Sequence, residues 1–222
     1  MDVFEAIETR RSVRAFRPDP VPRETVERLL AAAAWAPSGS NIQPWKVRVV
    51  TGEAWRKLCE TVSAWRDAHP GEEAPDYAYY PKTWREPYLG RRRKLGWALY
   101  GLLGIGRGDK EKAFRQHGRN FIFFGAPVGM IFTIDQDMEL GSWLDYGMFV
   151  QTLMLAARGE GLHSCAQGAW VYHHPRVRQA LGIPDSEKIV CGMALGYADA
   201  GAPENGLLPE REPVSGFARF LD

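Results

Sequence analysis

A short basic stretch near the start of the chain has the residue types of an anion site. Arg10, Ser12 and Arg14 alternate with other residues, and in an extended segment such side chains point to the same side. Two guanidinium groups and a hydroxyl on one side suit a phosphate, which carries nearly two negative charges. A solvated basic turn gives the same pattern, because short basic runs also occur by chance. Both interpretations stay open on spacing alone.

A second segment, residues 36–45, has the features of a site for a flat heterocycle. It reads Ala-Pro-Ser-Gly-Ser-Asn-Ile-Gln-Pro-Trp. Small residues leave backbone N–H and C=O groups free beside the amides of Asn41 and Gln43, and such groups can bind the donors and acceptors of a ring edge. An ordinary Pro/Gly/Ser turn explains any three of these residues, but it explains all ten together less well.

The patterning around these two segments predicts the elements that position them. Apolar residues at helical spacing, between Pro22 and Pro37, predict a helix. A longer helix is predicted at about 142–158, with Leu144 and Met148 among its periodic positions. Other helices are predicted at about 2–11, 53–65, within 91–117, and from Pro175; strands are predicted at about 45–49, 128–134, 162–166 and 188–195. This loose alternation predicts the α+β class, in a layered arrangement.

Two regions lack such patterning. Residues 67–115 form an aromatic-rich, irregular region, and an arm without core periodicity begins at about Asp199. Aromatic residues of the first region have two equally favoured interpretations: they line a substrate pocket, or they pack a dimer interface. They are Trp84, Tyr88, Trp97 and Tyr100. The whole chain, residues 1–222, is interpreted as one domain.

Composition argues against several classes of function. Lys and Arg number 28 and Asp and Glu 27, so the net charge of +1 gives no bulk attraction to nucleic acid or to an anionic membrane. Three cysteines without a CxxC pair suit a reducing cytoplasm. No signal peptide and no run of about 18 apolar residues is present. We expect a cytoplasmic protein with no nucleic-acid or membrane partner.

Other motifs give weak or negative signals. Residues 104–109 resemble a dinucleotide loop, but Asp109 stands where the third glycine should be and no strand precedes it. The five histidines show no metal-ligand spacing and are interpreted as surface residues, so no metal site is predicted. Cys165 is interpreted as a small buried residue rather than a nucleophile.

Five stretches of this sequence together resemble the FMN-dependent nitroreductase family. They are residues 10–16 (RRSVRAF), 36–45 (APSGSNIQPW), 161–170 (GLHSCAQGAW), 191–197 (CGMALGY) and 210–213 (EREP). The resemblance covers nearly the whole chain except about 67–115, and the two N-terminal motifs together are specific. The middle region is also similar to a subgroup that includes nitrobenzoate reductases.

The resemblance implies a fold and an assembly. Members have a central, mostly antiparallel sheet flanked by helices, and two chains intertwine as a homodimer with both flavins at the interface. The segment around the flavin ring is then contributed by the partner subunit. In this sequence its residues are Pro37, Ser38, Gly39 and Asn41.

The resemblance also implies roles for the remaining site residues. The FMN phosphate and ribityl chain are held by the N-terminal motif, here Arg10, Arg11, Ser12 and Arg14. The Arg14 position reaches the N1/O2 edge of the flavin, where a cation stabilises the reduced, anionic form. Ala166, Gln167 and Gly168 lie over the flavin, with the backbone N–H of Gly168 at N5. Arg211 closes on the phosphate.

These roles imply ping-pong electron transfer from NADH or NADPH, with Arg14 and Gly168 as the catalytic positions. A nitroarene reduced toward the hydroxylamine is the leading acceptor. Quinones, enones or another small organic substrate form a second possibility. A flavin-binding module without turnover is a third, from a different class of protein.

Overall fold

The computed structural model describes residues 1–221, and its centre is a four-stranded antiparallel sheet. The strands are β1 (Lys46–Val50), β2 (Val128–Asp135), β3 (His163–Gln167) and β4 (Glu187–Gly196). Their order in the sheet is β1-β2-β4-β3, so β1 and β3 lie at the two edges. Val128 to Ile134 of β2 are all buried, because helices cover both faces of the sheet.

Seven helices surround this sheet within the described residues. They are α1 (Val3–Thr9), α2 (Arg23–Ala33), α3 (Gly52–Ala68), α4 (Tyr88–Leu102), α5 (Lys110–Gly118), α6 (Leu140–Gly159) and α7 (His174–Leu181). α2 and α6 pack together over one face, and α3 and α7 pack together over the other. The predicted α+β layered architecture with an antiparallel sheet is therefore confirmed.

The predicted helices and strands recur with shifts of a few residues at their ends. α2 buries Val26, Leu29 and Ala33, the apolar face that its spacing predicts. The region 69–87 has no regular helix or strand, and α4 and α5 follow it. No helix within residues 1–221 is long and apolar enough to cross a membrane.

Two expectations from the sequence are wrong in detail. The buried side of α6 carries Tyr146 and Phe149, whereas Leu144 is 71% exposed. The histidines are not all surface residues, because His173 is buried against the ring of Phe121, with ring centroids 4.4 Å apart. Burial lowers the pKa of His173 to about 4, so its imidazole is neutral at neutral pH.

Candidate functional site

Arg14 and the residues at the end of β3 line one cavity of about 280 Å³. Ala166, Gln167 and Gly168 form the part that follows the sheet edge. The remaining wall is mainly polar and aromatic; among its residues are Tyr80, Tyr100, Gln116, Asn120, Phe124 and Tyr172. A pocket with a few converging polar groups is the usual form of a small-molecule site.

The N-terminal basic motif reaches this cavity because it runs beside β3. Ser12 forms a parallel bridge with Ser164, and the backbone N–H of Val13 donates to the Ser164 carbonyl at 3.2 Å. Val13 itself is fully buried and anchors the segment. The extended conformation predicted for the motif is therefore present, and residues on either side of Val13 are presented at the edge of the sheet.

Arg10 and Arg211 bring two positive charges together from opposite ends of the chain. Burial lowers the pKa of Arg10 below its usual value, and the charge of Arg211 lowers it further. The Nη1 of Arg211 donates to the backbone carbonyls of Pro209 and Glu210, at 3.0 and 3.1 Å. Two guanidinium groups that repel each other form a site that a bound phosphate would stabilise.

Arg11 lies on a different side of the motif from Arg10. Burial, together with the charges of Arg158 and Arg11, lowers the pKa of His163 to about 4. Within residues 1–221, the buried Nε of Arg11 has no hydrogen-bond partner. Arg11 therefore adds positive charge next to His163, away from the cavity that Arg14 lines.

Gly168 lines the cavity at a position whose backbone N–H has no acceptor within its own helix. It is the first residue of a 3-10 helix, Gly168–His173, and the first N–H groups of a helix have no acceptor within the helix. The side chain of the preceding Gln167 is buried and turned inward, where its Nε2 donates to the Asn120 carbonyl at 2.8 Å. The Gln167 side chain therefore holds Asn120 in the cavity wall. The part of Gln167 that lines the cavity is its backbone.

The segment with Pro37, Ser38, Gly39 and Asn41 does not line this cavity of the same chain. It packs at the start of α6, where the Gly39 N–H donates to Asp145 Oδ2 at 3.0 Å. Ser40, Asn41 and Gln43 have positive φ angles of 49°, 57° and 49°. Such strained backbone in non-glycine residues is concentrated at functional sites in proteins.

The aromatic residues singled out by the sequence separate in the structure. Tyr100 lines the cavity, whereas Trp84 and Tyr88 line a different pocket. Trp97 is largely exposed, with the Arg107 guanidinium 4.8 Å from its ring centroid. Of these four residues, Tyr100 is the one that lines the cavity with Arg14 and Gly168.

Several cavity residues were missed by the sequence reasoning. Gln116 and Asn120 lie four residues apart, at the end of α5 and the start of the following turn. Their amides at this spacing were the available signal, because residues four apart share a helix face. Tyr80 and Tyr172 gave no comparable signal, since contacts distant in sequence bring them to the cavity.

Comparison with known proteins agrees with this architecture. A sequence model described as the Nitroreductase family matches residues 7–197. The chain is 43% identical to a 4-nitrobenzoate reductase of Pseudomonas putida, over 99% of this chain and 96% of that protein. It is 41% identical to a nitrobenzene nitroreductase of Ectopseudomonas oleovorans, over 99% and 96%. A solved FMN and NADPH-dependent nitroreductase, NfnB of Sphigopyxis sp. strain HMH, superposes with a TM-score of 0.97 at 37% identity, covering 100% of both chains.

Proposed function

The chain belongs to the nitroreductase family, and on that premise we propose that it is an FMN-dependent oxidoreductase. It transfers electrons from NADPH or NADH to a nitroaromatic compound, which it reduces toward the hydroxylamine. The observation that carries this proposal is the shared cavity of Arg14 and Gly168, with the Arg10–Arg211 pair nearby. A flavin mononucleotide needs these three features: a phosphate site, a cation and a backbone donor.

The chain's own residues fit FMN at the phosphate end. Arg10 and Arg211 supply two guanidinium groups, and the hydroxyl of Ser12 lies in the same extended motif. A monoester phosphate carries nearly two negative charges and accepts several charge-assisted hydrogen bonds. We assign the phosphate to these three residues, with Arg11 adding positive charge from the neighbouring side.

Arg14 and Gly168 act on the redox part of the cofactor. FMN, when bound, supplies the chemistry by accepting two electrons from the nicotinamide and passing them to the nitro group. Arg14 would hold a fixed positive charge toward the N1/O2 edge, where reduction places negative charge. The backbone N–H of Gly168 would donate toward N5, and Ala166 and Gln167 would support the ring from the same segment.

The cavity wall suits an electron-poor aromatic substrate. Tyr80, Tyr100 and Tyr172 offer aromatic faces, and none of the residues that line the cavity within residues 1–221 is an Asp or Glu. An acidic wall would repel the oxygens of a nitro group and any carboxylate on the ring. We propose that both neutral and carboxylated nitroarenes are accepted, the classes for which the two relatives above are named.

We further propose that the active form is a homodimer. Exposed apolar residues of α1 and α6 lie on helices that pack together, including Phe4 and Leu144. The segment with Pro37, Ser38, Gly39 and Asn41 would then complete the flavin site of the partner subunit rather than its own. Three free cysteines, two of them buried, suit the reducing cytoplasm in which we place the protein.

Cofactor release and anaerobic turnover test this proposal together. The purified protein should be yellow and should release FMN rather than FAD on denaturation. NADPH or NADH should be consumed when 4-nitrobenzoate or nitrobenzene is added, and hydroxylamine products should form. A colourless protein that does not take up added FMN contradicts the cofactor assignment. If the protein takes up FMN but oxidises NADPH or NADH only with a quinone and not with a nitroarene, the cofactor assignment stands and the proposed acceptor is wrong.

A further inference from the structure

The ring of Tyr79 occupies the space next to the α-carbon of Gly168. A β-carbon placed on Gly168 would lie 2.9 Å from both Cε2 and Cζ of Tyr79, which is closer than nonbonded carbon atoms approach. The phenolic oxygen is farther away, at 3.4 Å. The contact therefore involves the aromatic ring, and a side chain at position 168 would require this ring, which is 43% exposed, to shift.

The segment that carries Tyr79 is held in place by Asp76 and Tyr77. The carboxylate of Asp76 accepts hydrogen bonds from the Ile189 N–H at 2.9 Å and from Arg178 at 3.0 Å. The hydroxyl of Tyr77 donates to the Val190 carbonyl at 2.7 Å. An otherwise irregular segment is thus fixed to β4 and α7, directly before the residue that covers Gly168.

We propose that Tyr79 is a positioning residue: its ring, anchored through Asp76 and Tyr77, fixes the orientation of the Gly168 backbone N–H toward the flavin N5. This inference rests on the proposed FMN function. Gly168 begins a 3-10 helix and follows an edge strand, so few main-chain hydrogen bonds restrain its N–H. A glycine also has more backbone freedom than other residues, and a neighbouring ring is needed to restrict it.

Tyr79 acts by packing rather than by charge. Burial raises the pKa of Tyr79, and the neighbouring Tyr80 raises it further, so the phenol is neutral at neutral pH. Its removal therefore changes no charge near the flavin. In oxidised flavin, N5 has a free lone pair and can accept a hydrogen bond from the Gly168 N–H. In reduced flavin, N5 is protonated and this hydrogen bond is lost, so the donor stabilises the oxidised form. Disorder of Gly168 should accordingly raise the potential of the bound flavin.

Four variants test this inference in the FMN-loaded dimer and its apoprotein. Gly168→Ala introduces the overlap with Tyr79 and should weaken FMN binding about tenfold or more, as overpacking does. Tyr79→Ala should bind FMN several-fold more weakly and shift its midpoint potential to more positive values. Tyr79→Phe keeps the ring and should match the wild type in both measurements. Tyr79→Ala combined with Gly168→Ala should recover FMN binding relative to Gly168→Ala alone.

A matched control is Tyr88→Ala, which removes an exposed tyrosine from the same region but not from Gly168. It should leave the FMN dissociation constant and potential unchanged. Equal FMN dissociation constants and potentials for Tyr79→Ala and the wild type would overturn the inference while leaving the proposed function intact. The inference would also be overturned if Tyr79→Phe matched Tyr79→Ala in FMN binding and potential. The same holds if the double variant bound FMN no more tightly than Gly168→Ala, whether or not the double variant folds. Wild-type protein that binds no FMN would overturn the proposed function as well.

Discussion

The side-chain oxygen of Asn205 accepts a hydrogen bond from the backbone N–H of Arg14 at 2.8 Å. The same amide donates to the carbonyls of Ala15 and Asp199, each at 2.8 Å. Asn205 is buried, although it belongs to a C-terminal segment without apolar periodicity. Asn205, near the C-terminal end of the chain, thus fixes the backbone of Arg14, which lies near the N-terminus and lines the cavity.

Replacing Asn205 tests this anchor. Asn205→Ala leaves the part-buried Arg14 N–H without this partner, at a cost of about 1–3 kcal/mol. It also removes one of the hydrogen bonds at the Ala15 and Asp199 carbonyls, which still accept from the Asp199 and Ala202 N–H groups. We expect the free energy of unfolding in urea to fall by at least that amount. Gln179→Ala, which removes an exposed side chain bonded to Arg176, should change it by less than about 0.5 kcal/mol. Equal effects of the two variants would show that Asn205 is not an anchor.

Arg14 and Arg211 should separate the redox role from phosphate binding. Arg14→Ala removes a charge-assisted hydrogen bond worth about 1.5–3 kcal/mol from the reduced flavin. Because about 1.4 kcal/mol corresponds to 30 mV for a two-electron couple, the midpoint potential should fall by some tens of millivolts. Hydride transfer from the nicotinamide should also slow, in a dimer that remains folded.

Arg211→Ala is the control for that measurement, since Arg211 lies beside Arg10 rather than in the cavity wall. It should weaken FMN retention and leave the potential of the bound flavin nearly unchanged. If both variants lose FMN equally and neither changes the potential, Arg14 is a phosphate ligand only. The fall expected for Arg14→Ala is opposite in sign to the rise expected for Tyr79→Ala, so one titration distinguishes the two roles.

The sequence predicts those parts of the fold whose signals are local. The apolar spacing of α2 and the run of buried residues in β2 need only neighbouring residues to be recognised. The buried face of α6 was less predictable. Its apolar residues occur on several sides, and Leu144 stays exposed while Asp145 is buried because it accepts from the Gly39 N–H.

The site shows the same division. Arg10, Ser12 and Arg14 were identifiable because their alternation is a local pattern, and the family resemblance gave them roles. Asn205 and Tyr79 were not identifiable, because each contacts a residue far away in sequence. Their contacts depend on how β4 and the C-terminal segment pack, which no local pattern in the sequence specifies.

Glu187 should make stability depend on pH. Burial alone would raise the pKa of Glu187, but hydrogen bonds from Arg48 at 2.8 Å and Thr133 at 2.6 Å lower it below its usual value. A lowered folded-state pKa stabilises the protein above the unfolded pKa of about 4.3. That contribution is lost as the pH falls through the folded pKa.

Glu187→Gln should therefore lower the free energy of unfolding at pH 7 by about 1–3 kcal/mol. Below the unfolded pKa of about 4.3 the difference from the wild type should shrink, and it should be lost as the pH falls through the lowered folded pKa, because the wild-type carboxylate is then protonated in the folded chain as well. Glu160→Gln breaks an exposed pair with Arg28 and should cost at most about 1 kcal/mol. A pH-independent difference for Glu187→Gln would refute the ionic explanation.

Gly192 in β4 should not tolerate a side chain. A β-carbon there would overlap the fully buried ring of Trp170, approaching Nε1 to 2.7 Å. Gly192→Ala should lower stability by about 1–3 kcal/mol, the cost of overpacking a core. Gly96→Ala, in the middle of α4 with open space beside it, should instead raise stability by about 0.5–1 kcal/mol. Thermal unfolding that ranks these two variants in the other order would contradict the packing.

Helices α1 and α6 both expose large apolar side chains. Phe4 and Leu144 are 73% and 71% exposed on helices α1 and α6, and these helices pack against each other. Exposed apolar residues that form a patch are costly in water and mark an interface. We expect an obligate dimer that buries more than about 2,000 Å² in total.

Leu144→Arg should yield monomers that lose FMN together with their partner, because Pro37, Ser38, Gly39 and Asn41 then no longer complete the opposite site. Lys57→Glu, a charge change on the exposed side of α3, should leave both dimer and flavin intact. Light scattering that shows a flavin-loaded, active wild-type monomer at micromolar concentration would contradict this account.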